Sequence, residues 1–172
     1  SMDESMETLT RELEDLLRKV EKKLRDSNEH HRELLEEVKR RVEENHKELD
    51  ELLRRASRVP EEVLKKIRRD HDELRKELDK LLRDSERRHR ELLEELKRRL
   101  EEVKRRLDKL RKDEDVTEEL LTKIRKLIRD VEETVREAER ESRALDERLE
   151  RTVRDVEEKS KRLIEELRRR AD

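Results

Sequence analysis

The sequence predicts an all-α fold: an up-down-up three-helix bundle of long, nearly straight antiparallel helices, with an 18-residue layer repeat. Three observations predict it. The chain has 172 residues, 59% of them charged, and lacks Gly, Cys, Phe, Tyr and Trp. Its 50 basic and 52 acidic residues nearly cancel, and its few apolar residues are strictly periodic, which fits long helices better than disorder. Only two short interruptions break that period.

The first helix is expected over about 3–57. Its inward stripe runs Met6, Leu9, Leu13, Leu16, Val20, Leu24, Ser27, His31, Leu34, Val38, Val42, Asn45, Leu49, Leu52 and Ala56. The steps are 3, 4, 3, 4, 4, repeating. Five steps make one 18-residue repeat at about 3.6 residues per turn, so little supercoil is expected. Leu17, Leu35 and Leu53 widen the stripe.

The first interruption is Ala56-Ser57-Arg58-Val59-Pro60-Glu61-Glu62. Proline suits a helix's first turn, where its missing N–H costs nothing, and the two glutamates favour the positive end of the dipole. The second helix follows over about 60–113. Ile67, Ser85 and Val103 are spaced by 18, as are His71, His89 and Leu107.

The second interruption is Asp113-Glu114-Asp115-Val116-Thr117-Glu118-Glu119. Thr117 is a good N-cap, and Val116 can staple onto Leu121. The third helix runs over about 117–171, repeating Ile124, Ser142 and Ser160, and Leu127, Leu145 and Leu163. Each apolar stripe covers about 120° of its helix, a width that suits three helices around one core. Short connections make neighbouring helices antiparallel. The reading is one domain spanning 1–172, a monomer needing no partner, with self-association as the alternative.

Polar residues stand where the stripe otherwise carries leucine. A hairpin centred near residue 58 or 59 sets His31 level with Ser85, Ser27 and Asn28 with His89, and Asn45 and His46 with His71. The second turn sets His89 level with Ser142 and His71 with Ser160. One expected layer therefore holds Ser27, Asn28, His31, Ser85, His89 and Ser142. The other holds Asn45, His46, His71 and Ser160. They are 18 residues apart, about 27 Å along a helix axis. Imidazole, hydroxyl and amide groups can each donate and accept, so such layers can close as hydrogen-bond networks. A closed network also fixes helix register, because a slip would leave each buried member unpaired at about 1–3 kcal/mol. His30 lies on the flank and is expected in solvent. Thr134 and Thr152 lie at the stripe edge.

Other chemistry is not expected. No basic face accumulates and no aromatic is present to stack on bases, so nucleic acid is not an expected partner. No apolar run reaches membrane-spanning length, and the acidic, polar amino end does not read as a signal peptide. No HExxH motif occurs, and no two histidines lie three or four residues apart. Asn and Ser are poor zinc ligands, so no metal and no cofactor is expected. Ser and His meet, but no Gly-rich turn or oxyanion hole accompanies them, so the chain does not read as an enzyme. The opening Ser-Met reads as a cloning scar, which fits a synthetic, soluble recombinant chain with no natural location.

Gly-free Glu/Lys/Arg/Leu helices, the loops RVPEE and DVTEE, the Ser-Met start and the buried Ser/Asn/His layers together resemble de novo designed helical bundles with buried hydrogen-bond networks. Within that class, His31, His46, His71 and His89 resemble the histidines of pH-responsive bundles, which come apart when their imidazoles are protonated. The resemblance implies a pH switch, with acid-triggered membrane interaction in some relatives. The alternative is a rigid scaffold, or a subunit of a designed assembly, in which the layers only set helix pairing.

Overall fold

The computed structural model describes residues 1–112 and 115–171. It is an all-α three-helix bundle, formed by α1 (Met2–Arg55), α2 (Glu61–Arg111) and α3 (Glu118–Ala171), with α1 and α3 both packed on α2. The expected helices are present, with small differences at their ends. The position 113 expected to close the second helix lies outside the described residues.

Each helix start has a local cause. The Pro60 carbonyl accepts the Leu64 N–H at 3.1 Å, so Pro60 caps α2 from one position before its first turn. Residues preceding proline are driven out of the helical region by its ring. That restriction falls on Val59; α1 itself ends at Arg55 in a turn where Ser57 N–H donates to the Arg55 carbonyl and Val59 N–H to the Ala56 carbonyl. Ala56 and Val59, inside this turn, are buried in the neighbouring core and anchor it. Thr117 caps α3 as expected. Its carbonyl accepts from Leu121 N at 3.1 Å and its Oγ1 accepts from Leu120 N at 3.2 Å. Glutamates occupy the first turns of α2 and α3, and arginines the last turn of every helix, matching the helix dipoles. No described residue has a positive φ, so the described backbone never needs the conformation that glycine would ease.

Packing divides the chain into two compact units, Ser1–Glu29 with Arg88–Ala144, and His30–Arg87 with Leu145–Asp172. The first has an apolar core built on Leu13, Val20, Leu24, Leu100, Leu107, Ile124 and Val131. The second core is built on Val38, Leu49, Ile67, Leu78, Val153 and Leu167. In the stripe of α1, Leu17, Leu35 and Leu53 are buried while Leu16, Leu34 and Leu52 are only half-buried. The residues expected to widen the stripe thus sit at its centre, turned by one residue.

Ion pairs record the helix order inside each unit. In the first, Lys104 pairs with Glu21 and Arg111 with Glu14, an antiparallel match of α2 on α1. Lys23 reaches Glu139 at 3.2 Å, matching α1 and α3 in the same direction. In the second unit Arg41 reaches Glu157 at 2.9 Å. Both residues of that pair lie 18 positions beyond Lys23 and Glu139. The layer repeat therefore reproduces a cross-helix contact in each unit. The exposed pairs Arg11–Glu7, Arg99–Glu95 and Arg162–Glu158 lie four residues apart along one helix. Each contributes only about 0.3–0.5 kcal/mol, so the cores dominate stability.

Candidate functional site: a buried imidazole pair

Four histidines are buried, at 4% exposure for His31, 6% for His46, 3% for His71 and 2% for His89. Helical period explains this: each stands on the apolar stripe of its helix, where a leucine would otherwise be. His30, one position off the stripe, is exposed as expected.

The second expected layer lies wholly in the second unit. His46 from α1 and His71 from α2 face each other through their rings. His46 Nδ1 lies 3.4 Å from His71 Nε2. The ring centroids are 4.7 Å apart and the planes tilted by 57°, an inclined geometry typical of aromatic pairs. The contact is long for a hydrogen bond, and it requires one nitrogen to donate and the other to accept. His71 Nδ1 is buried with no hydrogen-bond partner among the described residues. A buried N–H left unpaired is rarer than an unpaired acceptor. We therefore assign the neutral tautomer in which His71 Nε2–H donates to His46 Nδ1 and the His46 proton sits on Nε2.

Asp50, one turn beyond His46 on α1, brings its Oδ1 to 3.6 Å from His71 Nε2. Its side chain is 48% exposed, so a carboxylate at the edge of the core faces the pair without being desolvated itself. Ser160 is buried, but its Oγ has no partner among the described residues. Asn45 is half-buried. Hydrogen bonding in this layer runs through the imidazoles rather than through serine.

Burial lowers the proton affinity of both rings. His46 is held below its ordinary value of 6.5, first by desolvation, then by His71 and Arg75; Glu43 and Asp50 oppose this. His71 is also held below 6.5, first by desolvation; Asp50 opposes, Arg75 adds to the lowering and Asp72 opposes. An imidazolium loses hydration in the apolar interior, and partial counter-charge only part-restores it.

The six residues expected in the other layer are divided between the units. His31 and Ser85 belong to the second; Ser27, Asn28, His89 and Ser142 belong to the first. In the second unit His31 Nδ1 lies 3.5 Å from Asp146 Oδ1, whose side chain is 22% exposed. Ser85 is buried, with no partner for its Oγ among the described residues. In the first unit His89 is buried while Ser27 and Ser142 are half-buried.

Asn28 departs from the expectation of burial. It stands 18 residues before His46, at the same repeat position, yet it is exposed. It lines an open cleft of about 330 Å³ between α1 and α2, beside Leu24, Leu93 and Leu100. The rim there opens to solvent, so an amide is hydrated at a position where the second unit buries a ring. Thr134 and Thr152 join no layer. Each donates to a carbonyl four residues back on its own helix, Asp130 and Arg148, at 2.7 Å.

Two functional residues escape the level argument: Asp50 and Asp146. Each lies four residues after a member of a polar layer: Asp50 after His46 and Asp146 after Ser142. That spacing places a side chain on the same face one turn on, and it is the signal that finds them. No group of three or more His, Asp or Glu among the described residues is placed to hold a metal. No helix is long and apolar enough to cross a membrane, among the described residues. No protein-family model, curated protein or solved structure matches the chain.

Proposed function

We propose that the chain is a designed helical bundle whose buried histidines make its helix pairing sensitive to acid. The observation that carries the reading is the His46–His71 pair, two buried rings meeting nitrogen to nitrogen at 3.4 Å across α1 and α2. The contact holds the helices in register while one of the facing nitrogens is unprotonated.

The direction of the response follows from the lowered proton affinities. In the unfolded chain both rings have the ordinary value of 6.5, and in the fold both lie below it. The unfolded state therefore binds more protons in the interval between them. The pair's contribution is complete above about pH 6.5 and is lost as pH falls from there toward the folded values. Each tenfold difference in proton affinity between the two states is worth about 1.4 kcal/mol. Partial opening of one unit answers to a smaller free energy than full unfolding. Opened helices would present an apolar stripe flanked by arginine, the pattern that adsorbs to anionic lipid.

A second reading, a scaffold in which the layers only specify pairing, is favoured by Asp50 and Asp146. Each sets a carboxylate within 3.6 Å of a buried imidazole nitrogen, giving a protonated ring a counter-ion. Thermal melting at pH 7.4 and pH 4.5 separates the readings. The acid-sensitive reading expects the melting temperature to fall at pH 4.5, and to fall less in a His46→Leu/His71→Leu double variant. Equal falls in the two proteins would assign any acid effect to carboxylates and leave the scaffold reading.

A further inference from the structure

We infer that the His46–His71 pair accepts a single extra proton while folded, with Asp50 as its counter-ion, so that acid acts on this layer in two separate steps. The inference rests on the acid-sensitive reading above and specifies how the site is regulated.

The four ring nitrogens limit how many protons the pair can carry. The neutral pair carries two. One lies in the contact between His46 Nδ1 and His71 Nε2, and one lies on an outer nitrogen. A third proton occupies the remaining outer nitrogen, His71 Nδ1, which has no hydrogen-bond acceptor among the described residues, so the charge it brings is offset through the Asp50 carboxylate beside Nε2 of the same ring. The contact then still holds one N–H facing one lone pair, so the 3.4 Å approach survives. A fourth proton has no site except the contact itself. It sets two N–H groups and two positive rings against each other with centroids 4.7 Å apart. Like charges so placed cannot both persist in a partly desolvated site, and the two rings titrate as a pair with two macroscopic steps.

Asp50 is what makes the first step tolerable. Its Oδ1 stands 3.6 Å from His71 Nε2, on the half-exposed edge of the core. The charged groups acting on the pair are Glu43 and Asp50 from α1, and Asp72 and Arg75 from α2. From α3 the neutral, buried Ser160 belongs to the same expected layer. Asp50 acts on both rings in favour of the proton, and Arg75 acts on both against it. Glu43 adds to the anionic side at His46 and Asp72 at His71, so that carboxylates outnumber the one guanidinium around the pair.

The experiment is a pH titration of the full chain followed by nitrogen-15 NMR of the imidazole rings, for the wild type and for Asp50→Asn. In the wild type, the His46 and His71 signals should move together in a first step. The second step should come at lower pH and coincide with loss of folded signals. In Asp50→Asn the first step should need roughly fivefold more protons, the weight of one charge at about 4 Å in a water-like medium. Arg75→Gln should move that step the opposite way. Two rings titrating independently, or a first step unmoved by Asp50→Asn, would overturn the single-proton inference while leaving the acid response standing. Both rings titrating at or above 6.5 would defeat the acid-sensitive reading and this inference together.

Discussion

Replacing Leu49 by Ala is expected to destabilise the protein by about 2–5 kcal/mol, the usual range for a leucine deleted from a closed core. Leu49 has 0% exposure and lies between His46 and Leu53 on the buried face of α1. Its core also contains Ile67, Leu78, Val153 and Leu167, each nearly free of solvent. Long helices cannot collapse locally around a missing side chain without disturbing the layers above and below. The cavity cost is therefore added to the lost transfer free energy. Urea denaturation at pH 7.4 measures the loss. A loss below about 1 kcal/mol would mean that this core is not closely packed.

The second large effect is a non-additive one. Substituting His46→Leu alone takes away the acceptor that the His71 Nε2–H faces, leaving only the more distant Asp50 carboxylate. An unsatisfied buried donor costs about 1–3 kcal/mol. Substituting His71→Leu alone should cost a similar amount, because His46 Nδ1 then loses the group it faces. The double variant replaces both partners with apolar groups of similar size, which is commonly neutral or stabilising. A double-mutant cycle at pH 7.4 should therefore show a coupling of about 1–3 kcal/mol. Additive losses in the double variant would mean that the two rings are not an interacting pair.

The fold was legible because one signal repeats. Apolar residues at 18-residue spacing name the buried face of all three helices, and Pro60 and Thr117 mark where two of them begin. The burial of His31, His46, His71 and His89 followed from the same count. The finer geometry did not, because the repeat names a helix face and not what the neighbouring helices set against it. Asn28 and His46 share a repeat position, yet one faces solvent beside a cleft and the other faces a ring. Serine was expected to close the layers, but at Ser85 and Ser160 the short side chain finds no partner among the described residues. The count of levels does not single out Asp50 or Asp146. Only the three-dimensional approach of their oxygens to His71 and His31 shows that a half-exposed carboxylate can act on a buried ring.

These details change the physical picture of the polar layers. An exhaustive hydrogen-bond network would be worth most as a register lock. The arrangement found is sparser: facing imidazoles, a carboxylate at the edge and serines that add little. A sparse layer contributes less to specificity. It is also more exposed to a change of charge, because few hydrogen bonds offset the desolvation of an imidazolium.

The most direct measurement is the unfolding free energy by urea titration across pH 7.4 to 5.0, for the wild type beside the His46→Leu/His71→Leu variant. Its slope with pH counts the protons taken up on unfolding. The account predicts a loss of stability that begins near pH 6.5 and is steeper in the wild type than in the variant. Parallel curves for the two proteins would contradict it.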